Sequence, residues 1–336
     1  MESPPTVRGR DILVLGASAG GVQALRDVIE RLPPNLPAAV FVVLHIMPHG
    51  NSMLPAILQR SGCLPAVHPK EGEAILPGRI YVAPPDRHLA IRRGRIHLSR
   101  NASENGHRPA VDVLFRTAAR NFGARVVGVV LTGNLDDGTS GLAAIKRCGG
   151  VTVVQDPADA DYSGMPESAI ANVAVDHVLP LADIGPELDR LVREPRPETA
   201  MDCAEVEEEP DDMGTSKEDQ EGTATPAVPS ALTCPECGGA LFEKLDEQPL
   251  HFRCRTGHAY SPESLLAQMS DSVESAFWAA LRSLEENVAL SLRLERRSLA
   301  SGNPLAGERY HKRASDAEKH AEVLRAILTQ GGAELD

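Results

Sequence analysis

A serine, a histidine and an aspartate each stand just past an apolar run. Ser18 follows residues 12–15, His45 follows 39–44 and Asp137 follows 126–131. Together these side-chain types can do nucleophilic catalysis. The imidazole takes the hydroxyl proton, and the carboxylate fixes the imidazole tautomer and stabilises its charge. Their order along the chain is neutral, because geometry defines such a triad. A second group lies far downstream, in Cys234-x-x-Cys237 and Cys254-x-x-x-His258. Two thiolates two residues apart fit one tight knuckle. The second pair completes three sulfurs and one nitrogen, the closed shell of a structural zinc site. Gly238, Gly239 and Gly257 supply the turns. A redox Cys-x-x-Cys is the alternative, but no thioredoxin-like pattern surrounds it. His251 is a rival ligand, and the pattern puts it in the strand leading to Cys254.

Each member of the first group also has a plainer reading. Gly16-Ala-Ser-Ala-Gly20-Gly21 is a strand-to-helix turn, and the amides there, Ala19 among them, suit an anion or a developing oxyanion. Such a turn equally cradles a phosphate. The spacing misses G-x-G-x-x-G, however, and no Gly-Lys-Ser/Thr follows. His45 alone could be a hydrogen-bonded core histidine. Asp112, Asp136 and Asp137 could be helix caps or solvated loop residues.

The elements that must position these residues alternate between buried strands and helical patterns from 11 to 193. Strands are expected at 12–15, 39–44, 79–83, 126–131 and 151–155. Helices are expected from 22, over 51–60, 111–121, 141–148 and 168–174, and from 184 to 193. Residues 89–98, turning at Arg93-Gly94, read as an antiparallel hairpin. The fold class is therefore α/β, a doubly wound, mostly parallel sheet with helices on both faces. Ligands gather at the carboxyl ends of the strands in such sheets, which is where Ser18, His45 and the loop after Leu131 fall.

The organisation is a tail at 1–10, the α/β domain at 11–193, a linker at 194–231, a zinc knuckle at 232–260 and a helical hairpin at 261–330. The net charge of −13 is concentrated in the linker. Residues 194–221 hold twelve acidic and two basic side chains, a net of −10. With almost no aliphatic residues, that stretch is expected to be disordered. Leu265, Met269, Val273, Phe277, Leu281, Leu284, Val288 and Leu292 make one helical stripe. Ala314, Ala317, Ala321, Leu324 and Leu328 make a second, and Pro304 falls in the break. An antiparallel pair with incomplete burial suggests docking on a partner or self-association. No apolar run reaches the roughly 18 residues of a membrane span, and no signal region precedes Ile12, so the cytoplasm is expected. Nucleic-acid binding is not expected, for want of a basic stripe interleaved with aromatics. Six cysteines are too few for a disulfide scaffold. Cys63, Cys148 and Cys203 look incidental.

Six ordered motifs then carry a resemblance. They are Gly16 to Gly21, His45-Ile-Met-Pro-His-Gly50, residues 78–89, Arg108-Pro-Ala-Val-Asp-Val-Leu-Phe115, Leu131-Thr-Gly-Asn-Leu-Asp-Asp-Gly138 and Gly164-Met165-Pro166. From Asp11 to about Ala182 the chain resembles the catalytic domain of the chemotaxis protein-glutamate methylesterases, the CheB family. The resemblance implies Ser18 as nucleophile, His45 as base and Asp137 as acid. It excludes Asp136, because the family's aspartate directly precedes the glycine. It also implies an oxyanion-binding amide at the Gly133-Asn134 turn, with Met165 touching the substrate. Two departures stand out. Leu135 falls where the family often has glycine, and Ala19 replaces a frequent threonine. The implied reaction hydrolyses γ-glutamyl methyl esters on a methyl-accepting chemoreceptor or similar receptor, or deamidates glutamine, with no cofactor for catalysis. Family members usually carry an N-terminal receiver domain, which the ten residues before the first strand would not accommodate. A receiver acting in trans and a methyltransferase are the further partners the resemblance admits. The rival expectation is a signalling adaptor that binds receptors or other enzymes without turnover.

Overall fold

The computed structural model describes residues 9–46, 52–195, 227–244 and 250–331. In chain order the first elements are β1 (Ile12–Ala17), α1 (Gly21–Glu30), β2 (Ala39–Leu44), α2 (Leu54–Ser61), β3 (Ala66–Val67) and β4 (Ile80–Val82). Then come β5 (His88–Arg92), β6 (Arg95–Ser99), α3 (Val111–Phe122), β7 (Val126–Val130) and α4 (Thr139–Arg147). β8 (Val151–Gln155), α5 (Gly164–Asn172), β9 (His177–Leu179) and α6 (Leu181–Arg193) complete the α/β part. Seven strands form one parallel sheet in the order β3-β4-β2-β1-β7-β8-β9. The chain starts in the middle with β1, adds β2 beside it, passes to the edge strand β3 and comes back to insert β4 between β3 and β2, then builds outward through β7, β8 and β9 on the other side of β1. The reversal falls between β1 and β7, the position at which such sheets open a crevice.

Burial follows the two-residue period of a strand. Leu13, Leu15 and Ala17 of β1, with Val40, Val42 and Leu44 of β2, pack on α1, α2 and α6. Ile12 and Val14, with Ala39, Phe41 and Val43, pack on α3, α4 and the β5–β6 hairpin. Both faces are covered, so the strands read as continuous apolar runs. β5 and β6 pair antiparallel as a separate two-stranded sheet. The edge strands β3 and β9 were not expected, since at two and three residues they are too short to show a period.

The α2 helix starts at Leu54 rather than at 51, with Pro55 in its first turn. Residues 47–50 of the histidine motif, residue 51 of the expected helix, and 196–226 of the expected linker with Cys203 lie outside the described residues. Strand β10 (Ala227–Thr233) begins within the stretch expected as linker. It pairs antiparallel with β11 (Ala240–Lys244), and its Leu232 packs against the small core of that sheet, whereas Val228 is exposed. β12 (Phe252–Cys254) and β13 (Ala259–Tyr260) complete a four-stranded antiparallel sheet. Cys234, Leu241, Phe252, Cys254, Tyr260 and Leu265 form its small core. His251 stands one residue before β12.

The chain divides into two compact units, Met1–Leu265 and Leu266–Asp336. The second consists of most of α7 (Pro262–Ala300) and all of α8 (Pro304–Gly331). Leu281, Ser291, Ala314, Ala317 and Ala321 are buried, and Arg325–Glu285 and His311–Glu295 pair across the two helices. Met269 and Val273 of the expected stripe are exposed in this unit.

Gly16 fixes how closely α3 approaches the sheet. A Cβ built on it would lie 2.3 Å from Val111 Cγ1. Gly16→Ala should therefore overpack the core and cost about 1–3 kcal/mol. Thermal unfolding should show the loss, and Gly16→Ala/Val111→Ala should recover most of it.

Candidate active site

β1 ends at Ala17, and the chain turns sharply through Ser18, Ala19 and Gly20 into α1. The Ser18 amide donates to Thr132 O at 3.0 Å, and Gly21 N–H donates back to Ser18 O at 2.9 Å. Gly20 has φ +73°, open to glycine without strain, and a Cβ there would press on Asp161 and Thr132. A Cβ on Gly21 would lie 2.6 Å from Leu44 Cδ1. The glycines thus fit a turn pressed against its neighbours, with Ser18 half-buried at the carboxyl edge of the sheet. A cleft of about 360 Å³ opens there, lined by Ser18, Gly21, Leu44, His45, Ile46 and Asp161 among others. A larger hollow of about 480 Å³, between Arg26, Ile57 and Arg60, contains none of the three candidate side chains.

His45 stands one residue past β2, and its amide donates to Ala17 O at 3.2 Å. Its Nδ1 is 3.0 Å from Ser18 Oγ and its Nε2 is 2.6 Å from Asp137 Oδ2. With Asp137 as an acceptor, the neutral ring carries its proton on Nε2. Nδ1 is then free to accept from the serine hydroxyl. The structure therefore brings Ser18, His45 and Asp137 together in one hydrogen-bonded chain.

Asp137 is 2% exposed. Besides His45, it accepts from Val111 N at 2.7 Å, Asp112 N at 3.2 Å and Asn105 Nδ2 at 3.1 Å. The two backbone amides are the first of α3, whose positive end favours an anion. Burial alone would raise the Asp137 carboxyl. The hydrogen bond and charge of His45, the charge of His107 and the Val111 amide outweigh it and hold the group well below the usual carboxylate range. Asp137 thus also serves as the cap of α3 in the plainer reading. Asp136 and Asp112 behave differently. Burial raises both, and the neighbouring Asp137 charge raises them further.

Sequence reasoning missed His107. Its ring stacks on His45, with centroids 3.6 Å apart and planes 16° from parallel. It also missed Asn105, which sits at φ +53° and is almost wholly buried. Gly106 beside Asn105, in a stretch that otherwise looks like solvated loop, was the one available signal.

The loop after β7 lies against Ser18. A Cβ on Gly133 would sit 2.8 Å from Ser18 Cβ and 2.1 Å from Met165 Sδ. Asn134 is exposed, and Leu135 takes φ +61°, a left-handed conformation that favours glycine. No acceptor for the amides of Ala19 or Asn134 is found among the described residues. Met165, expected to touch substrate, is fully buried. Its side chain packs against Gly133 and its amide donates to Gly133 O at 2.8 Å, so it supports the loop from behind.

The cysteine group also assembles. The ligand atoms of Cys234, Cys237, Cys254 and His258 all lie within 4.8 Å of one another. Hydrogen bonds from Thr256 and the Gly239 amide pull the Cys237 thiol down to about 6, whereas burial raises that of Cys234.

A parallel α/β sheet with a serine, a histidine and a buried aspartate joined at its carboxyl edge is the arrangement of the serine hydrolases. The sequence profile of the CheB methylesterases matches residues 13–188. The chain belongs to the CheB methylesterase family. It is 41% identical over 184 residues to a protein-glutamate methylesterase/protein-glutamine glutaminase of Ralstonia nicotianae, covering 53% of this chain and 47% of the relative. The corresponding protein 5 of Anaeromyxobacter dehalogenans is 44% identical over 189 residues, covering 54% and 51%. The crystal structure of the Thermotoga maritima CheB methylesterase catalytic domain superposes with a TM-score of 0.52 at 35% identity. That match covers 54% of this chain and 98% of the other. The chain spans about half the length of the curated relatives it matches.

Burial and then the charge of His45 lower His107 to about 4, although Asp137 and Glu236 pull the other way. In the unfolded chain the same ring titrates near the ordinary value of about 6.5. Between these values the unfolded state binds the extra proton, so His107 makes stability fall as pH drops through that window. Denaturant unfolding from pH 7 to pH 4 should show a shallower loss for His107→Gln than for the unaltered protein.

Proposed function

We infer that the protein is a protein-glutamate methylesterase of chemotaxis-type signalling, acting on glutamyl methyl esters of a receptor. The observation that carries this is the continuous hydrogen-bonded chain Ser18–His45–Asp137. His45 Nδ1 takes the Ser18 proton as Oγ attacks the side-chain ester carbonyl. The amides of Ala19 and Asn134 bind the oxyanion. As the tetrahedral centre collapses, the carbon–methoxy bond breaks, and His45 returns the proton to release methanol. Water then attacks the acyl-serine, giving one proton to His45, which passes it to Ser18 Oγ. Glutamate and free enzyme result. With glutamine as substrate, ammonia leaves in place of methanol. The names of the relatives support both activities. A non-catalytic adaptor has no observation in its favour.

The cysteine group fits zinc. Metal–sulfur and metal–nitrogen bonds of about 2.3 and 2.1 Å at tetrahedral angles give edges of about 3.8 and 3.6 Å. Cys237 Sγ to Cys254 Sγ is 3.7 Å, and Cys234 Sγ and Cys254 Sγ stand 3.5 and 3.6 Å from His258 Nδ1. His258 Nε2 faces Glu236 Oε2 at 3.3 Å, the outer carboxylate that ligand histidines usually have. Zinc there has a structural role, holding the knuckle and β12 together. A cytoplasmic setting accords with five cysteines that form no disulfide among the described residues. Self-association of the hairpin accords with the exposed Met269 and Val273.

Methanol release from a methylated receptor, or from a peptide carrying glutamate 5-methyl ester, tests the reaction. Ser18→Ala should release none above background, and Asp137→Asn should lose roughly 10⁴-fold in kcat. Equal release from Ser18→Ala and the unaltered protein would end the Ser18 mechanism. Metal analysis should find about one zinc per chain. Its absence, with Cys254→Ser folding normally, would remove the zinc assignment.

A further inference from the structure

Within the first compact unit, the segment that follows the metal ligand His258 is bound to the loop that holds Asp137. β13 begins at the next residue, Ala259. Asn105 N–H donates to Ala259 O at 2.8 Å, and Ala259 N–H donates to Ser103 O at 3.3 Å. Ser261 N–H donates to Asn105 Oδ1 at 2.9 Å, while the Asn105 amide nitrogen donates to Asp112 and to Asp137. Only one orientation of this amide satisfies all three partners, because Ser261 N–H needs an oxygen and the carboxylates need N–H donors. A second contact lies one residue from Asp137. The hydroxyls of Ser261 and Ser264 both donate to Asp136 Oδ1 at 2.7 Å. A third runs through the knuckle itself. Glu236, between Cys234 and Cys237, faces His258 and accepts from Tyr260 and from Ser103. Beside it, Glu104 is buried against Arg116, with His251 Nε2 3.8 Å away.

None of these contacts is needed merely to close a zinc knuckle. They form a polar interface whose innermost member touches the acid of the triad. Asn105 and Ser264 are about 1% exposed, so these groups are lost to water and depend on each other. We propose that Asn105 is a positioning residue for Asp137, and that the Cys234/Cys237/Cys254/His258 module, by seating residues 259–264, sets the geometry of the hydrolytic site according to whether its metal is bound. The metal orders the turn from Cys254 to His258. That turn carries β13, β13 and Ser261 aim the Asn105 amide, and the amide together with the Asp136 contacts holds the aspartate under His45. The proposal rests on the zinc assignment for its metal link and on the serine-hydrolase reading for its effect on turnover.

The test uses the full chain, Zn²⁺, and a peptide carrying glutamate 5-methyl ester. Asn105→Ala and Ser261→Ala/Ser264→Ala should lower kcat by about 10–100-fold, the size of effect that outer partners of metal ligands have when they orient those ligands. KM should change little, and circular dichroism should remain native. The downfield proton resonance of His45 Nε2–H, bonded to Asp137, should shift or broaden in both variants. It should do the same when chelator strips zinc from the unaltered protein, and return when Zn²⁺ is added back. An unchanged resonance in Asn105→Ala would overturn the positioning role whatever the substrate proves to be, since that reading needs no turnover. Unchanged resonance and kcat after removal of zinc that metal analysis shows to have been bound would overturn the metal link while leaving the zinc assignment intact. If Asn105→Ala does not fold, zinc removal and the double serine variant still decide the matter.

Discussion

The structure depends on keeping a carboxylate ionised where water cannot reach it. An isolated buried charge costs several kcal/mol even after the surroundings relax. Asp137 avoids that cost by accepting from an imidazole, from two amides at the start of α3 and from the Asn105 side chain. Each donor constrains something else. The imidazole must come from the end of β2, so β2 must lie beside β1, which delivers Ser18. The α3 amides must reach over β1, so Gly16 must lack a side chain under Val111. The Asn105 amide must be held at a strained backbone position, which the contacts to Ala259 and Ser261 do.

Order in the sheet and chemistry at its edge are therefore one problem. Parallel strands deliver three loops to one edge. Ser18 and the loop after Leu131 flank the reversal between β1 and β7, and His45 comes from the next strand out. The glycines at 20, 21 and 133 let these loops touch without obstructing the serine. In this arrangement the base within reach of the Ser18 hydroxyl is His45, whose Nδ1 is free to accept because Asp137 takes Nε2.

Much of this was legible in the sequence. Ser18, His45 and Asp137 each followed a buried run, and a buried run is the clearest signal a parallel sheet gives. Three cysteines and a histidine at two short spacings were equally clear as a group that the fold brings together. What sequence could not give is what arises from tertiary approach. Met165 looked like a substrate contact, but position in a motif does not say which way a side chain faces, and it faces the core. Asn105 and His107 sit in a polar loop with no periodicity. Their importance comes from what packs over them, residues more than 150 positions away in one case. The strand at Ala227 was hidden for a related reason, because a short run after an acidic stretch becomes a strand only when β11 pairs with it.

The proposed chemistry turns on His45, oriented by Asp137, making Ser18 reactive. The most direct measurement is intact and peptide mass spectrometry after brief exposure to a fluorophosphonate, which phosphonylates an activated serine with loss of fluoride. One adduct per chain is expected, on Ser18, with labelling lost in His45→Gln although Ser18 is unchanged. Labelling of other serines at the same rate, or undiminished labelling of Ser18 in His45→Gln, would contradict it.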